Sequence, residues 1–146
     1  MVASSLTPML TVHDASAAVE FYARAFGATE GSRLQTPTGQ AVAQMFVDGL
    51  EFYVVDENPD AFNLSPETLG GTSVRISLIV DDPDGTTAQA LAAGATEVFP
   101  VDDQPYGLRQ GRVEDPFGHH WLYRNAAHLE PPGTFANTGA PQSVTA

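Results

Sequence analysis

The stretch Leu10-Thr11-Val12-His13-Asp14 leads through a helical segment to Gly27-Ala28-Thr29-Glu30, and both pieces return later in the chain. They recur as Leu78-Ile79-Val80-Asp81-Asp82 and Gly94-Ala95-Thr96-Glu97. Asp82 lies 68 residues after Asp14, and Gly94 lies 67 residues after Gly27. Chance supplies either piece alone, but both pieces in the same order and at nearly the same spacing indicate two copies of one module.

The first copy predicts a strand at about 7–12 and then a helix that Asp14 caps. The apolar residues of this helix recur at helical spacing and form one buried face. That face comprises Ala18, Phe21, Tyr22, Ala25 and Phe26. Gly27 stands where a helix end favours a residue that tolerates positive φ.

The second copy predicts a matching helix. Asp82 is its cap, and Pro83 occupies the first helical position, where the missing N–H is not needed. Gly94 ends it, and its predicted inward face comprises Ala88, Leu91 and Ala92. These small side chains predict close packing on a sheet.

Three strands follow each helix. In the first copy they span about 29–36, 40–47 and 50–56, with Asp48-Gly49 as a typical hairpin turn. In the second copy they span about 96–101, 108–114 and 119–124, with Asp115-Pro116-Phe117-Gly118 as a tight turn. The expected fold class is therefore α+β, with two tandem βαβββ modules.

The chain of 146 residues fits one domain. We place this domain at 1–130, with module one at 6–57, a Pro- and Gly-containing linker at 58–72 and module two at 73–130. The segment 131–146 is rich in Pro, Gly, Ser, Thr and Ala without periodicity, and this composition predicts a loose tail.

Composition excludes several classes of protein. There is no cysteine, which excludes disulfides, thiolate catalysis and cysteine-bound zinc. No apolar run approaches the roughly 20 residues of a membrane span. The N-terminus lacks the basic and then apolar regions of a signal peptide. We therefore expect a cytoplasmic protein with no membrane partner.

Charge is strongly unbalanced, since 18 acidic residues face 6 basic ones, all arginine, for a net charge of −12. The arginines are scattered along the sequence from Arg24 to Arg124, so a polyanion is repelled and nucleic-acid binding is not expected. The acidity has two interpretations: it provides solubility, or it attracts a cationic ligand.

The segment from Tyr106 to Trp121, with its Asp-Pro-x-Gly turn before the last strand, resembles the vicinal-oxygen-chelate superfamily. This superfamily includes glyoxalase I, extradiol dioxygenases, and fosfomycin- and bleomycin-resistance proteins, and the PhnB-like branch is the most similar. Val19-Glu20-Phe21-Tyr22 and Ala92-Ala93-Gly94-Ala95 support the resemblance, which covers about 6–130. It implies a curved mixed sheet of eight strands around a small-molecule cup, and a homodimer, sometimes with exchanged modules.

In metal-dependent members of the superfamily, His and Glu at four strand positions bind the metal. Aligned on the helix caps and the Asp-Pro-x-Gly turn, these positions fall on Thr7, Tyr53, Arg75 and Leu122. None suits a metal ion, and Arg75 repels one. Glu51, two residues from Tyr53 on the same strand face, does not make a site alone. We therefore expect neither metal nor cofactor.

Another metal site stays open as an alternative. Under the period-two alternation of strands, His13, Glu51 and His120 project to the same side of their strands as the empty ligand positions. Two His and one carboxylate are a known arrangement for iron. In the competing interpretation, His13 only ends a strand and His120 is a polar part of the wall of the cup.

The same alternation predicts which side chains wall the cup. Arg75 and Glu51 either pair with each other or with His120, or contact the ligand directly. Tyr106 and Arg109 lie at the rim, where loops often confer specificity. Trp121 alternates to the opposite side, where we expect it to pack against the second helix. The predicted wall comprises Thr7, Met9, Thr11, His13, Glu51, Tyr53, Val55, Arg75, Ser77, Ile79, His120, Leu122 and Arg124.

Three functions are compatible with such a cup. The first is metal-free binding of a cationic or aromatic small molecule, as in drug-sequestering proteins that confer antibiotic resistance. The second is a lyase, isomerase or dioxygenase with an unusual metal site, or with metal-free acid–base chemistry at His13, Glu51, Tyr53 or His120. The third is an accessory domain whose only role is dimeric partner binding. Vacant ligand positions and a mixed wall favour the first.

Overall fold

A computed structural model describes residues 3–126, so the predicted tail lies outside the described residues. The first module comprises β1 (Met9–Val12), α1 (Ala15–Phe26), β2 (Thr29–Gln35), β3 (Ala41–Val47) and β4 (Leu50–Asp56). The second comprises β5 (Arg75–Ile79), α3 (Pro83–Ala93), β6 (Thr96–Asp103), β7 (Arg109–Glu114) and β8 (His120–Arg124). Within residues 3–126, no helix has the length and apolar character needed to cross a membrane.

Each module forms one four-stranded mixed sheet. The strand orders are β1-β4-β3-β2 and β5-β8-β7-β6, which are the same order in the two modules. In both, the first and last strands pair in parallel and the remaining pairs are antiparallel. The predicted α+β class with tandem βαβββ modules is confirmed, and the eight strands form two sheets rather than a closed barrel.

The predicted helix caps are confirmed. The Asp14 side chain accepts a hydrogen bond from the Ala17 N–H at 3.1 Å, and Asp82 accepts one from Gly85 N–H at 3.1 Å. Gly27 ends α1 with a φ of 72°, in the left-handed region that favours glycine.

The buried face of α1 is also as predicted, with Phe26 only partly buried. In α3 the predicted inward face is correct only at Leu91, which packs against the core, since Ala88 and Ala92 are exposed while Thr87 and Ala90 are buried. Alanines on every side of α3 leave little periodic signal, so its orientation depends on the sheet it packs against.

The linker is anchored to the first module. It contains a 3-10 turn, Pro59–Ala61, and a short helix, α2 (Pro66–Leu69). Ser65, which is fully buried, caps α2 and donates from its hydroxyl to Glu57 Oε1 at 3.2 Å. Hydrogen bonds from Thr68 and Ser65 lower the pKa of Glu57 below its usual range.

Both modules share one hydrophobic core. Trp121 of β8 is 2% exposed, and its ring centroid lies 4.7 Å from that of Phe26 and 5.9 Å from that of Phe52. Trp121 therefore packs on α1 and β4 of the other module, and its predicted packing on the second helix was wrong. Because the helix-facing sides of both sheets contribute to this core, their opposite sides lie on the outside of it.

Candidate functional site

Strand register defines the two sheet faces that point away from the helices, which we call the first and second open faces. Met9 pairs with Tyr53 and Arg75 with His120, and side chains alternate along each strand as predicted. The first open face carries Met9, Thr11, Val42, Gln44, Phe46, Glu51, Tyr53 and Val55. The second carries Arg75, Ser77, Ile79, Gln110, Arg112, Glu114, His120, Leu122 and Arg124.

On the first open face, Glu51 is engaged within its own sheet. Gln44 Nε2 donates to Glu51 Oε1 at 3.4 Å. A hydrogen bond to Glu51 also raises the pKa of Tyr53 above its ordinary value. The pairing of Glu51 with Arg75, one of the alternatives that the sequence left open, is not formed. The rest of this face is mainly apolar or uncharged.

On the second open face, His120 and Arg112 are joined. Arg112 Nε donates to His120 Nδ1 at 2.9 Å. Since an arginine only donates, Nδ1 is the unprotonated nitrogen and the neutral ring carries its proton on Nε2. That Nε2 lies 4.0 Å from a carboxylate oxygen of Glu114.

Two more arginines share this face. Arg124 Nε donates to the Ser77 hydroxyl at 3.2 Å. Arg75 is exposed and, within residues 3–126, makes no ion pair. Leu122 lies between Ser77 and Arg112 at the centre of the face.

His13 lies beside the core and not on the first open face. Its Nδ1 is 3.3 Å from Glu67 Oε2, and its ring centroid is 5.4 Å from that of Phe117. No group of three or more His, Cys, Asp or Glu side chains suited to a metal occurs in the described part of the chain. The alternative site of His13, Glu51 and His120 is therefore not assembled.

Arg109 also differs in position from the predicted rim. Its guanidinium donates to both carboxylate oxygens of Asp84 at 2.6 and 2.8 Å, and to Asp103 at 3.1 Å. The hydrogen bonds to Asp84 and then to Asp103 raise the pKa of the Arg109 guanidinium above its ordinary value. They direct the side chain toward α3, which is the opposite side of β7 from the second open face.

Tyr106 lies in the loop between β6 and β7. It is half-buried, and its hydroxyl is 3.5 Å from Gln110 Oε1 on the second open face. The hydroxyl therefore lies at the border of the second open face, and the role of Tyr106 in ligand contact stays a prediction.

A buried polar cluster at the junction of the modules escaped the sequence prediction. Asp115, 3% exposed, accepts hydrogen bonds from the Tyr22 hydroxyl at 2.5 Å and from Trp121 Nε1 at 2.9 Å. It also accepts the backbone N–H of Phe117 at 2.9 Å and of His119 at 3.0 Å. Burial, and then Asp115, raise the pKa of Tyr22 well above its usual value. The available signal was Tyr22 itself, since a buried tyrosine requires a polar partner.

Two cavities border these elements. A cleft of about 370 Å³ lies on the second sheet and is lined by Phe99, Pro100, Asp102, Gln104, Gln110, Gly111, Arg112 and Leu122. A cavity of about 340 Å³ lies between the sheets, where Leu6, Thr7, Leu50, Phe52, Ile76 and Trp121 are among its lining residues. Both fall within the size range of small-molecule sites.

Comparison with known proteins gives a consistent family. The profile described as a glyoxalase-like domain matches residues 8–122. An uncharacterised protein of Mycobacterium bovis is 42% identical over 124 residues, which cover 82% of this chain and 82% of that protein. Among solved structures, a gene product of Arabidopsis thaliana superposes with a TM-score of 0.66 at 28% identity, covering 84% of this chain and 98% of that one. TioX from Micromonospora superposes with a TM-score of 0.63 at 29% identity, with the same coverage.

Proposed function

The chain belongs to the glyoxalase-like domain family, and from this we propose that it is a small-molecule-binding protein of the glyoxalase/bleomycin-resistance type. It acts in the cytoplasm, without a resident metal, and sequesters an aromatic compound. The supporting observation is that Tyr53, Arg75 and Leu122, at positions where metal-dependent relatives carry ligands, lie on the two open faces. These side chains offer apolar contact and hydrogen bonds rather than metal coordination.

The ligand is not a cation in this proposal. Net charge suggested one, but the arginines of the second open face oppose it. An aromatic ligand is favoured by the cleft on the second sheet, where Phe99 and Leu122 provide apolar surface beside Arg112. A large apolar contact area with few polar groups is how most small-molecule sites are built.

A second copy of the chain completes the cup. Because the two open faces lie on the outside of one shared core, the first open face of one copy has to meet the second open face of another to enclose a ligand. Exposed apolar side chains on both open faces support such contact, since Met9 of the first is 62% exposed and Ile79 of the second is 43% exposed. Burial of apolar area drives association of this kind.

Sedimentation of the full chain is therefore expected to give about twice the chain mass of 15.5 kDa. Ile79→Glu, which places a charge on the second open face, is expected to shift the protein toward the monomer. A monomeric wild-type protein at micromolar concentration would argue against the shared cup.

Binding itself is tested with naphthamide, an uncharged aromatic probe. Leu122→Ala is expected to weaken its binding by about 5- to 30-fold, because the lost side chain contributes about 1–2 kcal/mol of apolar contact. Isothermal titration of the full chain, after dialysis against EDTA, measures the affinity. Leu69→Ala is the matched control, since Leu69 is 62% exposed on α2 and belongs to neither open face.

Failure of the wild-type protein to bind naphthamide and its charged analogues at millimolar concentration would contradict the proposal. An equal loss in the Leu69→Ala control would do the same. Stoichiometric divalent metal in protein purified without chelator would favour the enzyme alternative instead.

A further inference from the structure

We propose that the second open face binds an anionic group of the ligand, a carboxylate on an aromatic compound, through Arg75, Arg112 and Arg124. The proposal rests on the small-molecule-binding function proposed above and adds the chemical class of the ligand. It reverses the expectation of a cationic ligand that net charge alone suggests.

The first observation is placement. Arg75 pairs with His120, Arg112 with Leu122 and Arg124 with Ile79, so that all three arginines lie on the same side of one sheet. They are three of the six basic residues in a chain of net charge −12. Residues widely separated in the sequence are thus gathered on one face by strand order and register.

The second observation is that their charges are not neutralised. Arg33 and Arg109, elsewhere on the protein, each place Nε 2.6 Å from a carboxylate oxygen. Within residues 3–126, none of the three arginines on the second open face forms an ion pair. One unpaired surface arginine is ordinary, but three together in a chain with 18 acidic residues leave a local positive potential.

The third observation is orientation. The Nε atoms of Arg112 and Arg124 donate to uncharged acceptors, His120 Nδ1 and the Ser77 hydroxyl. Each bond holds a guanidinium in place while leaving its terminal nitrogens as donors. A planar pair of N–H donors matches the two oxygens of a carboxylate, and donors held in advance lose less conformational freedom on binding.

Apolar surface accompanies the arginines. The guanidinium carbon of Arg112 lies 5.9 Å from the ring centroid of Phe99, and Leu122 occupies the adjoining position. Both border the cleft of about 370 Å³. This combination suits an aromatic body that carries an anionic group.

Two acidic side chains also belong to this region. Glu114 lies beside His120 on the face, and Asp102 borders the cleft. Three arginines against two carboxylates leave the region net positive. The acidity of the rest of the protein repels a large polyanion, so a small anion fits this face better than a nucleic acid does.

Three probes of similar shape test the charge preference: naphthoate, naphthamide and naphthylmethylamine, which are anionic, neutral and cationic. Titration of the full chain at low salt is expected to give naphthoate about tenfold higher affinity than naphthamide, with the amine weakest. Added salt is expected to weaken naphthoate binding alone, because screening acts on the charged contact.

Arginine variants test whether the preference for naphthoate arises at the second open face. R112Q/R124Q is expected to weaken naphthoate binding by about tenfold while changing naphthamide binding less than about twofold. R24Q/R33Q is the charge-matched control, since it removes two positive charges as R112Q/R124Q does, and R24Q removes one of them; both positions lie away from the second open face. They are expected to leave naphthoate binding within about twofold of wild type.

Equal affinity for naphthoate and naphthamide would overturn the charge assignment while leaving the small-molecule-binding function intact. An equal loss in R24Q/R33Q and R112Q/R124Q would also overturn it, because the effect would then be one of total charge. Absence of binding by all three probes would overturn the underlying function as well.

Discussion

Asp115→Ala is expected to lower the free energy of unfolding by at least about 4 kcal/mol, because it leaves four buried hydrogen-bond donors without an acceptor. Each unsatisfied donor costs about 1–3 kcal/mol, and the costs of neighbouring donors are not fully additive. The four donors are the Tyr22 hydroxyl, Trp121 Nε1 and the backbone N–H groups of Phe117 and His119. Tyr22 belongs to the first module and the other three to the second, so the loss loosens the junction between modules. Urea unfolding followed by circular dichroism measures the change.

Graded variants keep this prediction testable if Asp115→Ala does not fold. Asp115→Asn retains one oxygen for the backbone donors but turns an amide toward Trp121. We expect it to lower the free energy of unfolding by about 2–3 kcal/mol. Tyr22→Phe removes one donor and leaves three, and we expect it to lower the free energy of unfolding by about 1–2 kcal/mol. An unfolding free energy of Asp115→Ala within about 1 kcal/mol of wild type would show that the cluster does not hold the modules together.

Trp121→Ala is expected to lower the free energy of unfolding by about 3–5 kcal/mol, the usual range for a large buried aromatic. Trp121 fills the space between modules, with ring centroids 4.7 Å from Phe26, 5.3 Å from Tyr22 and 5.9 Å from Phe52. Its removal opens a cavity and also takes one donor from Asp115. Because it is the single tryptophan, unfolding has to be followed by circular dichroism rather than fluorescence.

Phe99→Ala is the control for Trp121→Ala. Phe99 is an aromatic residue of the same sheet but is 54% exposed, and its replacement is expected to change stability by less than about 1 kcal/mol. A similar effect of the two substitutions would contradict the placement of Trp121 at the centre of the shared core.

These two residues connect stability with the proposed function. Asp115 and Trp121 join the helix-facing sides of the two sheets, and that junction is what leaves both open faces on the outside. A ligand site on the open faces is therefore built on a rigid support. The same arrangement is the reason why the proposed function requires a second copy to enclose a ligand.

Much of the fold could be predicted from the sequence, because helix caps, helix ends and tight turns depend on local residue patterns. The capping Asp14 and Asp82, the glycine after α1 and the turn at Asp115 each depend on neighbouring backbone geometry. Strand alternation likewise placed Tyr53 and Leu122 on open faces. Membership of the glyoxalase-like domain family is shown, and membership of the PhnB-like branch stays a prediction.

The errors concern residues whose surroundings come from distant parts of the chain. Trp121 was assigned to the wrong helix, and Arg109 was placed at the rim although Asp84 on α3 binds it. His13 does not lie on the predicted wall, because its side chain pairs with Glu67 on α2 in the linker. Alternation tells on which side of a strand a residue lies, but not which element covers that side.

The order of strand and helix in each module, the caps and the two sides of every strand follow from residue patterns within a few positions of one another. The partnership of Tyr22 with Asp115, 93 residues apart, does not follow from any such pattern. The gathering of Arg75, Arg112 and Arg124 on one face of an acidic protein does not follow from one either. Such groupings depend on strand order, register and the packing of one module on the other, and these arise when distant segments bury their apolar sides together.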